Sequence, residues 1–84
     1  MHEYHIVEAV VKQALEAAQK NQAKKVTRLS FNLGERSGLE ESSLRLYFET
    51  LSSGTLLEGA ELVFTRLPDA SGGLFLEHIE IEKE

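Results

Sequence analysis

The chain contains no cysteine among its 84 residues, no tryptophan, and a single proline, Pro68. Without cysteine there is no disulfide and no thiolate zinc site, which fits a reducing compartment and leads us to expect a cytoplasmic protein. No apolar stretch is long and uncharged. The run near the start is broken by Glu8 and Lys12 and lacks a basic lead, so it is expected to be neither a signal peptide nor a membrane span. Basic residues are the minority, 9 against 14 acidic, and the resulting net charge of −5 disfavours binding to a phosphate backbone. Also missing are a glycine-rich phosphate loop, a Ser-His-Asp or Cys-His arrangement, internal repeats and low-complexity segments, so no catalytic residue is assigned. A chain of this length buries roughly 60–65% of its unfolded surface, which points to one small domain of modest stability with no covalent staple.

What is present begins at the first residue. Met1-His2-Glu3 runs directly into an apolar-periodic segment. A free α-amine, the deprotonated amide nitrogen of residue 2 and the His2 imidazole can close fused five- and six-membered chelate rings around one ion, filling three corners of a square. Glu3 can complete the set through its carboxylate or its amide. A tetragonal nitrogen-rich environment suits Ni(II) or Cu(II), whereas zinc prefers a closed tetrahedron and Mg(II) and Ca(II) prefer oxygen. Nickel is the leading ion on this reading and copper its chemical rival. His5 lies one turn beyond His2 and is weighed as a further ligand against an ordinary solvated surface histidine. His78, near the other end of the chain, reads as exposed or structural.

Along the chain, Val7, Val10, Val11, Ala14, Leu15 and Ala18 follow an i, i+3, i+4, i+7 rhythm and predict a helix over 4–20 that stops near Asn21. Period-two alternation then predicts a strand over 26–33, with Thr27, Leu29, Phe31 and Leu33 on its covered face. Lys20, Lys24, Lys25 and Arg28 gather at its entrance. Lacking interleaved aromatics, they read as a solvated helix end, and a small RNA-binding domain is the weaker interpretation. Ser37 and Glu40 have capping-box spacing and predict the start of a second helix, whose stripe is Leu44, Tyr47, Phe48 and Leu51. Strands follow over 61–67 and 74–82, and the two are expected to pair as an antiparallel hairpin around the connector at residues 68–73. The fold class is α+β: a two-layer α/β arrangement with two helices on one face of a three-stranded mixed sheet, in the order α-β-α-β-β. Open edges and an uncovered face, where Leu74 and Leu76 are expected to show, suggest a monomer or a strand-swapped dimer.

Four blocks carry a resemblance: Met1-His2-Glu3-Tyr4, Asn32 to Ser37, Tyr47 to Leu51, and Gly54 to Leu62. Together they resemble the HypA family of nickel metallochaperones. The resemblance implies a carrier that delivers Ni(II) to the maturing large subunit of NiFe hydrogenase, and in some bacteria to urease with its accessory proteins, together with the GTPase HypB. It places the nickel ligands at Met1, His2 and Glu3. It also implies a zinc ribbon on two Cys-x-x-Cys pairs between the last two strands, where this chain has only residues 68–73 and no cysteine. The family's zinc site is therefore absent, and residues 1–84 read as a single nickel-binding domain from which that lobe has been excised. The competing class is a small α/β protein-interaction module without a metal role.

Overall fold

The computed structural model describes residues 2–68 and 72–83, leaving the side chain of His2 undescribed. Its order is α1 (His2–Lys20), β1 (Lys25–Gly34), α2 (Glu41–Ser52), β2 (Glu61–Leu67) and β3 (Leu74–Glu82). Both helices cover one face of a mixed three-stranded sheet, as their apolar stripes require.

The core is centred on β1. Leu29, Phe31 and Leu33 are fully buried beneath Val7, Ala14, Leu44 and Phe48, and each such side chain contributes roughly 1.5–3 kcal/mol through removal from water. Phe31 is the centre of an aromatic cluster, 4.8 Å from the Phe48 ring and stacked on Phe64 at 5.1 Å between centroids.

The strand order β2-β1-β3 corrects the hairpin expectation. β1 lies between the other two, parallel to β2 and antiparallel to β3, so β2 and β3 never pair. The physical reason is burial: β1 is the most continuously covered strand, and a central position satisfies its backbone on both sides. Two strand spacings separate β2 from β3, about 10 Å, well within the reach of six residues. Both ends of the connector rest on the end of β1: the Gly34 N–H donates to the Gly73 carbonyl and the Glu35 N–H to the Leu67 carbonyl, at 2.8 and 3.1 Å.

Three local features also differ from the sequence expectation. Thr27 is exposed, not inward, because it is the extra residue of a β-bulge between the Val26–Ile81 and Arg28–Glu80 pairs. The bulge lets Val26 and Leu29 both face the core although they are three apart. Ser37 does not cap α2: its Oγ donates to the Gly34 carbonyl at 2.6 Å and accepts from the Leu39 N–H, forming a turn, while the helix starts at Glu41 with no side-chain cap. Finally, Leu74 is buried and Leu76 is partly buried against the core, so it is Phe75 that stands exposed on the uncovered face.

Candidate metal site

The expected ligands fall at the start of α1. The helix begins at His2, so the amides of its first turn have no carbonyl one turn back to bond. Removing the proton from the His2 amide therefore breaks no helical hydrogen bond, and the positive end of the helix dipole favours the anion that results. The Met1 amine and the His2 imidazole lie outside the described residues and side chains.

Glu3 is described, and its position is informative. Half-buried in the first turn of α1, it reaches across to the second helix, where its Oε2 accepts the Glu40 N–H at 3.2 Å. Glu40 is the residue preceding α2, so this carboxylate supplies from elsewhere in the chain the N-terminal partner that no local side chain provides. One carboxylate thus faces the positive ends of two helices. Tyr4, the next residue, meets the Tyr47 ring edge-on at 5.7 Å, tying the start of α1 to the middle of α2.

The other candidates have contacts of their own. His5 is exposed, its Nδ1 lying 3.7 Å from Glu8 Oε1. His78 sits on β3 opposite Ser30, with its Nε2 3.7 Å from Glu80 Oε2, on the sheet face turned away from the helices. Among the described residues no three histidine or acidic side chains converge as a metal cluster. The basic cluster is dispersed: Lys25 Nζ donates to the Glu58 carbonyl, and Arg28 is held between Glu61 Oε1 at 2.9 Å and Glu80 Oε2 at 3.0 Å. Those carboxylates, Glu61 foremost through its hydrogen bond, raise the Arg28 pKa. Among the described residues no helix is long and apolar enough to cross a membrane.

Sequence reasoning missed the Glu3–Glu40 bond. It joins residues 37 positions apart, and neither periodicity nor local spacing reports a contact at that range.

Residues 1–71 match the family described as "Hydrogenase/urease nickel incorporation, metallochaperone, hypA". The hydrogenase maturation factor HypA of Caldanaerobacter subterraneus subsp. tengcongensis is 42% identical over 64 residues, 76% of this chain and 56% of that protein. The HypA of Shewanella oneidensis is 43% identical over 68 residues, 81% of this chain and 58% of that protein. The chain thus spans a little over half the length of these curated relatives. The solution structure of the Ni metallochaperone HypA from Helicobacter pylori shares the fold, with a TM-score of 0.84 at 23% identity over 98% of both chains. A second HypA solution structure gives 0.80 at 25% identity, covering 100% of this chain and 98% of that one.

Proposed function

The chain belongs to the HypA family, and from that premise we propose that it is a nickel carrier domain binding Ni(II) through Met1, His2 and Glu3. HypA proteins are maturation factors, metallochaperones and not enzymes, so the chemistry assigned is capture and release of an ion. In this reading the amine, the His2 amide and the imidazole take three corners of a plane, and Glu3 Oε1 takes the fourth or orients the amine. The cargo goes to the large subunit of hydrogenase, or to urease with its accessory proteins, and HypB is the GTPase partner.

The observation that carries the proposal is the Glu3–Glu40 hydrogen bond. It fixes the third residue of the chain on a rigid element, so a chelate formed at the terminus is presented in one orientation to a recipient. A site at the end of a helix, outside the packed core, suits an ion that must be surrendered.

We further propose that residues 68–73 replace the family's zinc lobe. Two findings support this: the family match ends at residue 71, whereas the structural matches continue through β3. Likeness of fold thus extends through β3, beyond the point in the connector where the family match stops.

Calorimetric titration of untagged protein with Ni(II) tests the proposal, against a form with an acetylated amino terminus and against His2→Ala. Both changes are expected to lower affinity at least tenfold with the fold intact by circular dichroism. Because amine and imidazole must be deprotonated to bind, affinity should fall as pH drops below about 8 and further through about 6.5. Equal affinity in all three forms would leave only the interaction-module reading.

A further inference from the structure

Two histidine–carboxylate pairs lie outside the terminal tripeptide, and both are set at 3.7 Å: His5 Nδ1 to Glu8 Oε1 on α1, and His78 Nε2 to Glu80 Oε2 on β3. An imidazole nitrogen and a carboxylate oxygen are donors that zinc takes in proteins. What separates the two pairs is the commitment of the acid. Glu80 Oε2 already receives Arg28 Nη1 at 3.0 Å, so a cation arriving there meets the guanidinium charge as well as the carboxylate. Glu8 has no such partner. Lys12 stands four residues on, the favoured place for a base that follows an acid, yet among the described residues Glu8 pairs only with His5.

The pair on α1 is also shaped for an ion. Three-residue spacing on a helix brings both side chains to one face. The His5 ring is met edge-on by Tyr4 at 5.9 Å between centroids, and Tyr4 rests in turn against Tyr47, so packing between the helices steadies the imidazole. A tetrahedral zinc ion holds a nitrogen and an oxygen ligand ~3.4 Å apart, whereas adjacent corners of a square or octahedral ion set them at ~2.9 Å. The observed 3.7 Å closes to the first span with the smaller turn, and both side chains are exposed and able to make it. We propose that His5 and Glu8 form a zinc site, with water at the remaining corners, separate from the terminal chelate and from the cysteine ribbon of the family. Two protein ligands hold the ion weakly and reversibly. The site uses neither the Met1 amine nor the His2 imidazole, so it stands or falls independently of nickel binding at the terminus.

Zinc titration followed by NMR tests this on the untagged chain with its amino terminus acetylated, which disables the terminal chelate. Resonances of the His5 ring and the Glu8 side chain should shift saturably at sub-millimolar Zn(II). His5→Ala and Glu8→Gln should each weaken binding by about tenfold or more, since even an outer-shell partner of a metal site is worth that much. Both side chains are exposed, so circular dichroism should show the fold kept in each variant. His2→Ala and His78→Ala should leave the affinity unchanged. Absence of a saturable shift at His5, or equal affinity in Glu8→Gln, overturns the proposal. So does a response that centres on His78 or is lost with His2→Ala.

Discussion

Glu3 is where a terminal tripeptide becomes part of a folded structure. A chelate formed by three consecutive residues survives in the unfolded chain, so nickel bound that way adds little to stability, because a ligand stabilises only through its preference for the native state. The fold enters through the Glu3 carboxylate on the Glu40 amide. Glu3→Ala should cost about 1 kcal/mol in urea unfolding without metal, the net worth of one hydrogen bond. It should also remove most of any nickel-induced rise in melting temperature, while calorimetry still detects binding through amine and imidazole. A nickel-induced rise that persists undiminished in Glu3→Ala would show that the link to α2 plays no part in holding the ion. The sequence suggests a chelating set at Met1, His2 and Glu3, which the nickel titration tests. The Glu40 contact was not legible there, because one backbone amide resembles any other until the chain folds.

Elements were legible to the degree that their patterns are local. The stripe of α1 is regular, and it buries Val7, Val10, Val11, Ala14 and Ala18 as the spacing requires. Its end is another matter. The Ala23 N–H donates to the Ala18 carbonyl and the Gln22 N–H to the Gln19 carbonyl, a Schellman ending in which Gln22 takes φ of 56°. Glycine is the usual residue at that position, and a glutamine there gives no sequence signal. Gln22→Gly should stabilise the protein by roughly 1 kcal/mol by relieving the left-handed penalty, measured as a shift in urea midpoint at constant slope. In β1 an unbroken alternation would turn Thr27 inward, yet it is exposed. The bulge escapes such reading because an extra residue alters which neighbours face inward without altering composition. Ser37 shows the same limit from the other side: its spacing to Glu40 satisfied a rule, but the hydroxyl found the nearer Gly34 carbonyl.

At the scale of the whole molecule, layer composition and helix placement follow from the sequence, whereas strand order does not. Two strands flanking a short connector are ordinarily a hairpin, and only the competition for the most buried position put β1 between them. That arrangement brings the start of α1, the turn before α2 and the connector to one end of the molecule, around the end of β1. The opposite end holds the turn after α1 and the loop before β2, where Val26 N–H donates to the Leu56 carbonyl.

The clasp at Gly34 and Glu35 has a bearing on tolerance to change. Since Leu67 and Gly73 are each buttoned to the central strand independently, the span linking them does not set the alignment of the strands it joins. Splicing a flexible Gly-Ser tract into that span should cost only about 0.6 kcal/mol per doubling of its length, readable as a graded fall in unfolding free energy at constant slope. A frame that keeps its shape whatever hangs from that corner can lose or acquire an appendage in a single genetic step, and the terminus proposed to carry nickel would not register the event.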